Sequence, residues 1–201
     1  MKLALAFCAF GLVLFAQDLP DEAPTFGVSV VLPAGLTGEI YEIKKNSEKL
    51  PDFKKKLKKI GIIYTHTLNI AARDFMEGFP WLSNRTEWFA IDYSGKFWIE
   101  NPGDYRFVLT SDDGSRLYID DRLVIDNDGA HAPLSVTGDV KLEGGIHSIR
   151  VSYFQGPRWH VALILEIAPP SIFGPGTDLK VFSTLDYKPP SNPADWKYPP
   201  R

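Results

Sequence analysis

Two carboxylates stand side by side in the run Ser111-Asp112-Asp113-Gly114-Ser115. Adjacent carboxylates on a loop repel each other unless a cation lies between them. A calcium ion suits such a pair, because it takes about six to eight oxygens and accepts carboxylates and backbone carbonyls alike. The same residues also fit a plain tight turn, in which Asp112 and Asp113 bond nearby backbone N–H groups. Both readings are open on the residues alone. Asn127 and Asp128 follow within reach of the same loop and are auxiliary metal-ligand candidates. They do not make an EF-hand, since the first ligand position would be Val124 and the twelfth Ser135.

A second group lies between Gln155 and His160. The Trp159 indole could stack on a sugar face, but Trp159 also opens the alternating set Val161, Leu163, Leu165 and Ile167. That parity points it at the core. Arg158 and His160 have the opposite parity and are the better candidates to meet an anionic or polar ligand. Enzymatic machinery is harder to find: the sequence has no Gly-x-Ser-x-Gly elbow and no His-Glu-x-x-His. A glycosidase needs two acids about 5–10 Å apart across a cleft, and Asp112 and Asp113 share one small loop. His66, His131, His147 and His160 show no metal-ligand spacing and read as ordinary surface or turn residues. The expectation is a binding protein without catalysis.

The elements that would position these residues are strands. Tyr105, Phe107 and Leu109 alternate with polar neighbours, as do Ile149, Val151 and Tyr153. Turn signals separate them at Ser94-Gly95, Asn101-Pro102-Gly103, Asp113-Gly114, Asp128-Gly129 and Gly144-Gly145. Short strands with turns at this spacing predict an all-β fold, an antiparallel sandwich or barrel. Asp120-Asp121 is placed as a two-residue hairpin turn, where Asp121 would tolerate positive φ. One segment departs from the pattern. From Lys49 to Lys59, Phe53, Leu57 and Ile60 fall at helical spacing among five lysines, which predicts one short helix packed on the sheet with a solvated basic face. A membrane-surface or polyanion-binding helix is the alternative.

Lys2, the apolar run Leu3 to Phe15 and the small residue Ala16 have the order of a secretory signal, predicting cleavage after residue 16 and a secreted or periplasmic protein. No second run is long enough to span a bilayer. The lone Cys8 falls within the signal, so no disulfide framework is expected. The chain carries 22 basic and 25 acidic residues, a formal charge of −3, which offers no general field for nucleic acid. Residues 17–34 read as a leader, 35–168 as the domain, and 169–201, with eight prolines, as a weakly structured tail. Asn84-Arg85-Thr86 is a glycosylation sequon.

The strings Pro-Gly-Asp-Tyr-Arg-Phe at 102–107, Ser-Asp-Asp-Gly-Ser-Arg-Leu-Tyr-Ile-Asp at 111–120, Val-Ile-Asp-Asn-Asp-Gly at 124–129, Leu-Glu-Gly-Gly-Ile-His at 142–147 and Val-Ser-Tyr-Phe-Gln-Gly at 151–156 together resemble a PA14 domain. Gly35 to Tyr41 resembles the first strand of that family. The resemblance implies a β-sandwich or barrel of about ten strands. In the family's lectins two consecutive Asp joined by a cis peptide hold calcium, and the ion binds sugar hydroxyls. Carried over, Asp112 and Asp113 would hold the ion, with Gln155 and backbone carbonyls of the 155–160 loop as further oxygen donors. The implied partner is a glycan or cell-surface polysaccharide. The competing expectation is a structural or interaction domain that contacts other proteins of the cell envelope.

Overall fold

Tyr105, Phe107 and Leu109 point into the core, whereas Arg106 between them reaches the neighbouring strand and donates twice to Asp139, from Nε and Nη2, at 2.8 Å each. That alternation recurs through the molecule. The computed structural model describes residues 35–74 and 86–191. The predicted signal and leader (1–34), Asn84 of the sequon and residues 192–201 lie outside the described residues.

Among the described residues there are ten strands of five or more residues, in line with the expected number: β1 (Gly35–Glu42), β2 (Lys58–Thr65), β3 (Asn69–Asp74), β4 (Phe89–Ile99), β5 (Gly103–Asp112), β6 (Ser115–Ile119), β7 (Arg122–Asn127), β8 (Leu134–Leu142), β9 (Gly145–Gln155) and β10 (His160–Ala168). Three two-residue strands follow, β11 (Pro170–Ser171), β12 (Gly174–Pro175) and β13 (Lys180–Val181). One sheet runs β2-β1-β4-β9-β6-β7 and a second β13-β10-β5-β8, with β3 also paired to β10. All named pairings are antiparallel. The inward faces, including Ile91, Tyr93, Phe107, Leu109, Leu117, Val151, Leu163 and Leu165, form one core between the sheets. β6 and β7 join at Asp120-Asp121, both at positive φ (49° and 61°), the turn that matches strand twist.

The short helix expected near Lys49 to Lys59 is absent, and none of the described residues is helical. The β-branched residues Ile62 and Ile63 pair with β1, and after a register shift at Ile60 the pairing extends back to take in Lys58 and Lys59. Pro51 and the repulsion among closely spaced lysines leave the remainder as a turn. Phe53 still packs inward, edge-on to Tyr41.

The chain after Ala168, expected as a weakly structured tail, adds to the core. β11 and β12 form a small hairpin, and β13 pairs with β10. Phe182 is fully buried, its N–H donates to Leu165 O at 2.8 Å, and its ring stacks on Tyr187 at 5.5 Å. Proline density signalled missing backbone donors but could not show that Phe182 would find a pocket between Phe97 and Phe107.

Candidate functional site

β5 belongs to one sheet and β6 to the other, so residues 112–114 cross from sheet to sheet at one end of the sandwich. The Asp112–Asp113 peptide is cis. The turn is held from below. Ser111 and Ser115 hydroxyls meet at 2.7 Å, Asn127 Nδ2 donates to Ser111 Oγ at 3.1 Å, and the Tyr153 hydroxyl lies 2.7 Å from Asp112 O. Phe154 N–H donates to Gly114 O at 3.0 Å. Gly114 has no room for a side chain: a Cβ there would lie 2.6 Å from Gly129 N and 2.6 Å from Phe154 Cε1. This explains the glycine in Ser-Asp-Asp-Gly by packing between the Gly129 loop and a side chain of β9.

Both carboxylates are buried, Asp112 at 6 % exposure and Asp113 at 5 %. Asp113 Oδ2 accepts the Gly156 N–H at 2.7 Å, whereas the Asp112 carboxylate makes no hydrogen bond among the described residues. Burial, then the adjacent Asp113, pushes Asp112 up to about 6, against an opposing pull from His160 and His131. Burial also raises Asp113, opposed by the backbone N–H groups of Gly156 and His131. Two buried acids with no Lys or Arg paired to them among the described residues favour either a proton or a metal ion.

The donors present fit calcium better than zinc. Among the described residues no cluster of three or more His, Cys, Asp or Glu side chains could hold a metal. An ion here would have two carboxylates and otherwise neutral oxygens, a hard-oxygen set. Asn127 can add one of these. Its Nδ2 donates to Ser111 Oγ and Leu134 O, and the carbonyl acceptor fixes the amide orientation, leaving Oδ1 for a cation. Asp128 is turned elsewhere: its Oδ1 accepts Leu50 N–H at 2.8 Å, and its Oδ2 pairs with Arg116 at 3.2 Å.

The 155–160 loop is sorted differently from its sequence reading. Gln155 is fully buried, its Nε2 donating to Pro157 O (3.2 Å) and His160 O (3.0 Å), and its Oε1 meeting the Tyr153 hydroxyl. It braces the loop and its oxygen is already engaged. Trp159, which parity sent to the core, is 77 % exposed. The reason is that β10 begins one residue later, so the alternation does not extend back to it. Trp159, Arg158 and His160 instead line an open groove of about 830 Å³ with Asp74, Thr86, Glu87 and Pro157. β10 pairs Ala162 with Asp112, which brings this groove beside the acidic pair. His131, set aside as a turn residue, faces the pair too, anchored by ring nitrogens at 3.0 Å from Asn127 O and 2.9 Å from Ala132 O. No sequence spacing signals that placement, because the sheets bring it there.

A family model described as "PA14 domain" matches residues 35–178. No curated protein matches the chain. Among solved structures, an anti-sigma factor domain-containing protein is 22% identical with TM-score 0.60; the match covers 80% of this chain and 50% of that one. The PA14 domain of the MpAFP antifreeze protein is 21% identical with TM-score 0.61, covering 76% and 88%. A PA14 sugar-binding domain from an RTX adhesin is 18% identical with TM-score 0.56, covering 76% and 96%. At these identities the likeness is one of fold.

Proposed function

The chain belongs to the PA14 domain family, and from that premise we propose that it is an exported, non-catalytic carbohydrate-binding module whose Asp112-Asp113 loop works with calcium. The observation that carries the reading is the pair of buried, adjacent carboxylates, one of them without a side-chain hydrogen bond among the described residues, beside a groove with an exposed tryptophan. Asp112, Asp113 and Asn127 Oδ1 would hold the ion. Bound calcium supplies open coordination positions for a pair of sugar hydroxyls, and Trp159 supplies an apolar face for the ring. The sugar-binding adhesin domain of the same fold is consistent with this assignment. The leading apolar segment, Leu3 to Phe15, supports export as a signal. No helix among the described residues is long and apolar enough to cross a membrane.

Calorimetric calcium titration of residues 17–201, beside Asp113→Ala, tests the metal half. Wild type should titrate at one site and gain about 1.4 kcal/mol of stability at ten-fold excess over Kd, with neither effect in the variant. An identical titration of the two proteins would remove the site. A glycan array run in calcium and in EDTA tests the sugar half; a blank array with intact calcium binding would leave a structural clip and favour protein partners in the cell envelope.

Trp159→Ala separates stacking from folding. Because the indole is exposed, stability should change by less than about 0.5 kcal/mol. Affinity for a glycan scored on the array should fall about three- to ten-fold, by isothermal calorimetry. Equal affinity in the variant would exclude the indole as a sugar platform.

A further inference from the structure

Between Ile43 and Lys59 the chain places eight lysines against two acids, Glu48 and Asp52, a local charge of +6. The whole chain carries −3, so all remaining residues together carry −9. This segregation is the largest charge asymmetry in the sequence, and the calcium loop makes no use of it.

All eight lysines are exposed. Lys58 pairs with Glu42 at 2.8 Å, Lys59 with Glu39 at 2.5 Å, and Lys55 reaches Asp52 at 3.7 Å. Among the described residues Lys44, Lys45, Lys49, Lys54 and Lys56 have no carboxylate within ion-pair distance. Their backbone is nonetheless fixed. Ile43 N–H donates to Trp88 O at 3.1 Å, Ser47 caps Lys44 O through both N–H and hydroxyl, and Leu50 N–H donates to Asp128 Oδ1 at 2.8 Å. The Arg150 guanidinium covers the Phe53 ring at 5.5 Å, and Leu50 and Phe53 pack with Ile43, Ala90 and Phe154. A loop built this firmly holds five uncompensated ammonium groups near one another, at the cost of mutual repulsion and with no gain in packing. A surface serving solubility alone would mix the signs.

We propose that the 43–59 loop is a docking surface for an acidic polysaccharide, one bearing carboxylate or sulfate groups, independent of calcium. The apolar side chains of the loop face inward, so it has nothing to insert into a bilayer. Its one aromatic, Phe53, is covered by Tyr41 and Arg150, so it has no free face for a nucleobase. A uniformly dense polyanion such as duplex nucleic acid would also extend over the acidic remainder of the surface. A flexible polysaccharide can place its charges on the patch and leave it elsewhere.

The test is binding of the purified chain to polygalacturonate, with dextran as neutral control, in EDTA so that the calcium loop is silent. At about 50 mM NaCl the chain should bind polygalacturonate and not dextran, and affinity should fall about ten-fold or more on raising salt to about 300 mM. The variant Lys44→Gln/Lys45→Gln/Lys49→Gln/Lys54→Gln/Lys56→Gln should lose about ten-fold or more at low salt. Lys141→Gln/Lys180→Gln/Lys188→Gln, away from the loop, should bind as wild type. Because every replaced side chain is exposed, a matched melting temperature checks the fold. Absence of binding to polygalacturonate, or equal loss in the two variants, overturns the proposal. So does tighter binding to an oligonucleotide or to phosphatidylserine vesicles, either of which would assign the patch to another partner class.

Discussion

Asp112→Asn should raise the melting temperature of the metal-free protein at neutral pH and abolish its response to calcium. Burial and the neighbouring Asp113 push the Asp112 carboxyl up to about 6. In the unfolded chain the same group ionises near pH 4. Between those values the folded protein holds a proton that the unfolded chain has lost, so stability falls as pH rises from about 4 to about 6 and stays flat above. The cost carried above that window is about 2–3 kcal/mol. The amide isostere removes the buried charge while keeping the Asp112 carbonyl beside the Tyr153 hydroxyl. The gain, about 5 °C or more for a domain of this size, is read by thermal melts in EDTA at neutral pH.

Calcium should invert that slope. Binding needs both carboxylates ionised, so protons compete with the ion, and the apparent affinity should weaken about ten-fold per pH unit below about pH 6 for each proton displaced. Melting temperatures in saturating calcium should then rise with pH over the window in which those in EDTA fall. Parallel pH profiles with and without calcium would sink the metal assignment. A variant no more stable than wild type in EDTA would show that the buried charge is compensated.

The strands were legible because burial alternates with period two, and Tyr105, Phe107 and Leu109 announce β5 without help. The Asp112-Asp113 loop was legible because adjacent acids at a turn are chemically conspicuous. Trp159 was not, since parity holds only inside a strand and the residue where β10 starts is fixed by pairing of His160 with Asp74. Gln155 was misplaced for a related reason: a polar side chain at a strand end reads as a ligand until its amide is seen bonding the carbonyls of its own loop. The lysine segment shows the limit of periodicity, where the helical spacing of Phe53, Leu57 and Ile60 gave way to a turn at Pro51 and to β2, which starts at Lys58 and pairs with β1.

The largest stability loss should come from Phe182→Ala, four residues beyond the end of the matched family region. Phe182 meets Phe97 edge-on at 5.5 Å, lies 6.4 Å from Phe107 and stacks on Tyr187 at 5.5 Å. Truncating a fully buried ring leaves a cavity that the surrounding sheets cannot fill, costing about 3–5 kcal/mol. The backbone around it is tied as well, with Thr184 N–H donating to His66 O at 2.9 Å and Trp98 N–H to Tyr187 O at 2.6 Å. Ending the chain after Asp178 removes those bonds along with the ring and should destabilise further. Phe173→Ala is the control, because Phe173 is exposed at the tip between β11 and β12 and its loss should cost less than about 0.5 kcal/mol. Urea unfolding of the three proteins decides the matter. Equal midpoints for Phe182→Ala and Phe173→Ala would mean that residues after Ala168 contribute nothing to the core. A large gap makes the proline-rich segment a structural part of the sandwich, because in this family member the second sheet is completed by residues whose composition reads as linker.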